Sequence, residues 1–307
     1  MFLVKNSSFT EKTTLLLSGF LIALMTLFSC QSYAQASDIF VSSKWLKSHQ
    51  SNVKIIDMSD KSQFQKFHIE DALWVNYAWL IKPQNGLQLS GGADYMANIL
   101  SQLGIKNSDH LVIYDDMGGL EASRLYWELK KLNHAKVSIL DGGIVSWILA
   151  GNKVTQKAPQ RPAQSQYTVP KKHSTDALTA DKKEVINAKQ NNVVLLDTRT
   201  EQEYIGNPKQ KRSGHIPAAI WFDWSKAIDV QNGFRQYSND NLLQNLRGVS
   251  LSDLKQPIIV YCNTAYRAAR SFVMLKSLGF ENVKLYDGSI QEYEIDKSLP
   301  LKLGKQP

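Results

Sequence analysis

Short apolar runs punctuate the chain. VVLLD (193–197), PIIVY (257–261) and VKLYD (283–287) are too short for helices and carry little of the polar alternation of a half-exposed strand. They read as strands buried on both faces of a sheet. Between the last two lies AYRAARSFVMLKSLG (265–279), where Ala265, Ala268, Ala269, Phe272, Val273, Leu275 and Leu278 suit a helix packed on that sheet, and Gly279 stops it. Strands alternating with helices predict an α/β fold with a mostly parallel sheet.

The same order occurs twice. KIIDMSD (54–60) matches VVLLDTRT (193–200), and FHIEDALWVNY (67–77) matches GHIPAAIWFDW (214–224). HLVIYDDMGGLEASR (110–124) matches PIIVYCNTAYRAAR (257–270), and VSILDGGIVSW (137–147) matches VKLYDGSIQEY (283–293). His68 and His215 lie 147 positions apart, as do Tyr114 and Tyr261; Arg124 and Arg270 lie 146 apart, as do Asp141 and Asp287. Four blocks in one order at nearly one offset are an internal duplication. A length of 307 residues, 43% apolar, supplies a core for each copy. Residues 151–175 are polar, hold three prolines and read as an extended linker. The predicted organisation is a first domain at 37–152, a linker at 153–178 and a second domain at 179–307.

Ahead of these, LLLSGFLIALMTLF (15–28) has the length of a signal-peptide apolar region and is followed by QSYAQASD, with Ala34 and Ala36 at cleavage positions. The expectation is an export signal over 1–36 and a periplasmic protein with no membrane span after cleavage. Lipidation at Cys30 is the alternative, disfavoured by the bulky Phe28. Cleavage leaves Cys262 as a lone thiol, which excludes an internal disulfide. It also leaves a net charge of +7 from the full chain's +8. The charges are scattered and not interleaved with aromatics, so small anionic ligands fit better than nucleic acid.

Cys262 follows the strand IIVY, at the carboxyl end of the sheet where ligands of parallel α/β folds sit. A helix starts within a few residues, so loop N–H groups and the positive helix end favour an anion, and with it the nucleophilic thiolate. Arg267 adds a planar cation suited to an oxyanion. The matched residue of the first copy is Asp115, so the position is not an apolar packing site in both copies. The alternative is that Cys262 is an inert core residue.

Taken together, DTRTEQEY, SGHIPAAI, VYCNTAYRAARS and LYDGSIQEY resemble the rhodanese family of sulfurtransferases, in two tandem domains of which the second carries the cysteine. The resemblance implies a double displacement with no cofactor. Cys262 takes the outer sulfur of a donor such as thiosulfate as a persulfide and passes it to cyanide or a thiol. The backbone of Asn263, Thr264, Ala265 and Tyr266 then binds the anion with Arg267, and the first domain is catalytically idle. Cys-x4-Arg is one residue shorter than the loop of cysteine phosphatases, which suits a persulfide better than a phosphate. CNTAYR has no glycine and ends in arginine, which resembles the thiosulfate branch rather than the 3-mercaptopyruvate branch. Glu203 stands where some tandem thiosulfate enzymes carry a substrate-binding arginine, and is expected to point away from a dianion. A sulfur carrier without turnover is the rival from another class.

Other residues carry weaker readings. Asp197, matched by Asp57, is a supporting carboxylate for the loop or for Arg267, with a structural part. Arg199, matched by Ser59, serves either substrate attraction or loop bracing. His215 is repeated as His68 in the copy without the cysteine and reads as a turn brace. Asp287–Gly288, repeated as Asp141–Gly142, reads as a turn. No second cysteine or histidine stands at metal-ligand spacing from Cys262. No partner chain is implied, and the expected state is a monomer.

Overall fold

The computed structural model describes residues 39–160, 162–169 and 177–307; the expected export signal over 1–36, with Cys30, lies outside them. The first half contains β1 (Phe40–Val41), α1 (Ser43–His49), β2 (Lys54–Asp57), α2 (Lys61–Lys66), β3 (Leu73–Trp74), β4 (Ile81–Gln84), β5 (Leu87–Ser90), α3 (Ala93–Gln102), β6 (His110–Tyr114), α4 (Leu120–Lys131), β7 (Lys136–Leu140) and α5 (Gly143–Leu149). The second half contains β8 (Thr179–Ala180), α6 (Lys182–Ile186), β9 (Val194–Asp197), α7 (Glu201–Ile205), β10 (Ile220–Trp221), β11 (Ile228–Asp229), β12 (Arg235–Gln236), α8 (Asn239–Arg247), β13 (Ile258–Tyr261), α9 (Tyr266–Ser277), β14 (Val283–Tyr286) and α10 (Ser289–Ile295).

Two five-stranded sheets result, ordered β1-β7-β6-β2-β3 and β8-β14-β13-β9-β10. Every pairing within them is parallel. Matching strands by their sequence blocks gives both sheets one topology, so the duplication extends to the fold. All four residues of the central strand β13 are buried, as its unbroken apolar run requires. Cys262 emerges from the carboxyl end of that strand.

The copies are fastened reciprocally. The hairpin β4–β5 of the first domain donates the Ser90 N–H to Asp287 Oδ2 of the second at 2.7 Å, and the hairpin β11–β12 donates the Gln236 N–H to Asp141 Oδ1 of the first at 2.8 Å. Arg124 on α4 meets Asp287 at 2.7 Å. Arg270 on α9 donates to Gly118 O at 2.9 Å and to Gln236 Oε1 at 3.0 Å. Asp141–Gly142 is a turn, as expected, Asp287–Gly288 is a bend leading into α10, and both aspartates anchor one domain to the other. Gly142 shows why a glycine follows one of these aspartates: its φ is +73° and a Cβ there would lie 2.4 Å from Gly233 O of the opposing hairpin. One core cluster runs through both copies, from Ile56, Trp127 and Ile139 to Phe272 and Leu285.

Both histidines are buried braces. His68 pairs with Phe64 O and Lys157 O at 2.8 and 3.2 Å, and His215 with Tyr204 O and Gln306 O at 2.8 and 3.0 Å. Each thereby ties down the segment trailing its own domain. Among the linker residues described, Thr155 bridges to His68 and Tyr167 is buried against His134, so this stretch is strapped to the first domain. Among the described residues, no helix is long and apolar enough to cross a membrane.

Candidate active site

The loop after β13 is pinned from one side. Ser289, the first residue of α10, accepts the N–H of Ala265 at 2.9 Å and that of Cys262 at 3.3 Å, and donates its own proton to Tyr286 O at 2.9 Å. Ile290 N–H reaches Cys262 O at 3.1 Å and Gln291 N–H reaches Asn263 O at 3.3 Å. Ala265 takes a left-handed φ of +61° and turns the chain into α9. The Ala265 N–H was expected to bind an anion. It is already committed to Ser289, which removes it from any such cradle. Ser289 was missed because its counterpart in the first copy is Gly143, where a Cβ would lie 2.0 Å from Asp115 O.

Cys262 is 1% exposed, so its side chain is closed off from bulk water, while Asn263, Thr264, Tyr266 and Arg267 around it are half-buried. The first domain supplies neighbours to this loop. Tyr266 donates its hydroxyl proton to Glu121 Oε1 at 2.9 Å, and its ring meets Tyr77 edge-on at 4.8 Å. Burial pushes the Glu121 carboxyl up to about 7, against the pull of the Tyr266 hydroxyl. Burial also raises the Tyr77 hydroxyl; Arg124 opposes that, and Cys262, Asp287 and Glu121 add to it, which places Tyr77 in the electrostatic neighbourhood of the thiol. Tyr77 and Glu121 carry no local sequence signal for this role, because only the docking of the two copies brings them here.

Two expectations about charged residues are corrected, and the open choice for Arg199 falls to the brace. Glu203 does not point away: its carboxylate accepts both terminal nitrogens of Arg267, at 2.7 and 2.9 Å, and Asn263 Nδ2 at 2.8 Å. The Arg267 guanidinium holds the Glu203 carboxyl well below the usual carboxylate range. Asp197 does not reach Arg267; it takes Arg199 instead, at 3.0 Å from Nε and 2.6 Å from Nη2. Arg199 also donates to Gly214 O at 2.8 Å and is 4% exposed, which makes it a brace between β9 and the Gly214 turn, not a substrate-binding group. Arg267 is thus the guanidinium beside the cysteine loop, and it is already paired.

The first copy shows what such a loop holds when no thiol is present. Asp115 Oδ1 accepts the N–H groups of Met117 and Gly119 at 2.9 and 2.8 Å, and Oδ2 those of Glu121 and Ala122 at 2.8 and 3.0 Å. Four converging amides around one carboxylate form an anion nest at a helix start. The Rhodanese-like domain profile matches residues 42–150 and 181–296, which contain this nest and the Cys262 loop.

The chain belongs to the rhodanese family. A protein of Mycobacterium bovis named "Putative thiosulfate sulfurtransferase 1" is 30% identical over 281 residues, covering 87% of this chain and 98% of that one. The "Sulfur carrier protein TtuD" of Thermus thermophilus is 28% identical over 287 residues, covering 88% and 98%. Among solved structures, the 3-mercaptopyruvate sulfurtransferase SseA of Escherichia coli superposes with a TM-score of 0.72 at 25% identity, over 82% of this chain and 99% of that one. The rhodanese relatives thus span both copies, and their names divide between enzymes and a carrier.

Proposed function

We propose that the chain is a sulfurtransferase working by double displacement through Cys262. The Cys262 thiolate attacks the outer sulfur of a donor containing an S–S bond. That bond breaks, its electron pair leaves with the inner fragment, and Cys262 keeps the outer sulfur as a persulfide. An acceptor then attacks the outer sulfur and restores the thiolate. Cyanide leaves as thiocyanate; a thiol gives up its proton and leaves as a persulfide. The observation that carries the reading is the place of Cys262, between the central parallel strand and the start of the 12-residue helix α9, on a loop braced by Ser289.

The mycobacterial relatives support thiosulfate as the first donor to test. With thiosulfate, sulfite is the leaving fragment. The test is intact mass after incubation with thiosulfate: wild type gains one sulfur atom, cyanide removes it, and Cys262→Ser gains none. No gain on wild type from either thiosulfate or a persulfide donor, or a gain that persists in the serine variant, overturns the reading. TtuD motivates the second reading, a sulfur carrier. A persulfide that forms yet supports no steady-state thiocyanate production would select it.

A further inference from the structure

We propose that Glu203 is a specificity-determining residue that neutralises Arg267 and turns the Cys262 site away from dianionic donors, toward singly charged ones of the class R–S–S−. The inference rests on the sulfurtransferase reading and narrows its donor. A dianion such as thiosulfate needs uncompensated positive charge where it meets a thiolate. Arg199 cannot supply it, because Asp197 and Gly214 O occupy its guanidinium. Arg267 is clamped by both oxygens of Glu203. The first domain adds a second carboxyl, Glu121, on the hydroxyl of Tyr266. One guanidinium and two carboxyls therefore face the loop, and a second negative charge on the donor meets net repulsion.

Glu203 is held in that position independently of the donor. Thr200 donates its N–H at 2.9 Å and its hydroxyl at 2.8 Å to Glu203 Oε2, and Asn263 Nδ2 fixes Oε1 at 2.8 Å. Thr200 and Glu203 form the capping box of α7, so the carboxylate is anchored at a helix start and reaches the cysteine loop from there. A persulfide donor asks less of the site. The Cys262 thiolate attacks the outer sulfur of R–S–S−, the S–S bond breaks, R–S− leaves with the electron pair, and the outer sulfur stays on Cys262.

The test compares wild type with Glu203→Gln, which retains a capping-box side chain while removing the charge. Single-turnover sulfur loading is followed by intact mass with two donors, thiosulfate and glutathione persulfide. The expected result is a gain of about tenfold in the thiosulfate rate of the variant, exceeding any change in the persulfide rate by at least about threefold. A second measurement needs no transfer: sulfate, a dianion without a transferable sulfur, should protect Cys262 from alkylation at about tenfold lower concentration in the variant. Thiosulfate loading that is unchanged or slower in Glu203→Gln, with sulfate protection also unchanged, overturns the inference while leaving the sulfurtransferase reading intact. Wild type that accepts sulfur from neither donor overturns that reading, and the sulfate arm then still decides whether Glu203 excludes dianions.

Discussion

The loop after β6 and the loop after β13 occupy equivalent places in two copies of one fold and do opposite things with them. In the first, the Asp115 carboxylate collects four backbone N–H groups and fills its own nest. In the second, Cys262 stands at the strand end, the N–H of Ala265 is diverted to Ser289, and a clamped ion pair of Arg267 and Glu203 lies alongside. The position matched to Arg267 in the first copy is Glu121, a residue of opposite charge. A duplicated scaffold thus keeps the helix start that favours an anion and changes what stands before it: a carboxylate holding four backbone N–H groups in one copy, a buried free thiol in the other. The first copy is not spare, because its Tyr77 and Glu121 meet Tyr266 on the cysteine loop.

Substitutions that exchange the two loops' properties test this contrast. The largest effect is expected from Cys262→Ser, which abolishes sulfur loading by intact mass; Asp115→Cys leaves the wild-type stoichiometry of one sulfur per chain, because its loop has an extra residue and Glu121 in place of a cation. Arg124→Ala leaves Asp287 buried across the domain boundary without its guanidinium, and should lower unfolding free energy by about 3–5 kcal/mol in a urea titration. Asp115→Asn turns an amide group toward N–H donors and should cost about 2–3 kcal/mol in the same titration, whereas Cys262→Ser should cost about 1 kcal/mol. An Asp115→Asn variant as stable as wild type would break the view of the first loop as a structural nest.

Ser289→Gly gives the second loop the residue of the first. It removes the acceptor of two loop N–H groups and should cost about 1–2 kcal/mol, with sulfur loading slowed several-fold by loss of loop order. The smallest effect concerns pH. Burial raises Glu121 from 4.5 to about 7, so the folded state holds more protons than the unfolded one between those values, and this group's contribution to stability falls as pH rises through that window. Glu203 has the opposite sign: its folded value is depressed, so its contribution is present above 4.5 and is lost as pH falls below it. Glu121→Gln should flatten the decline of melting temperature between pH 5 and 7 without touching the acid limb, and an unchanged decline would remove Glu121 as its source.

The sequence by itself determined the duplication, the parallel topology of each sheet and the strand-end place of Cys262. These are local matters: an apolar run reports burial on both faces, a helical period follows it, and matched blocks report a repeated unit. What Glu203 does beyond the cap was decided only by the fold. Its partners Asn263 and Arg267 lie 60 and 64 residues away in sequence, and the direction of a charged side chain depends on which opposite charge the packing brings within reach. The same holds for Arg199, which its sequence neighbourhood left open between substrate and brace and which the buried Asp197 settled. Tyr77 and Glu121 became part of the site through the docking of α4 on α9, a contact between copies that no pattern within either copy encodes.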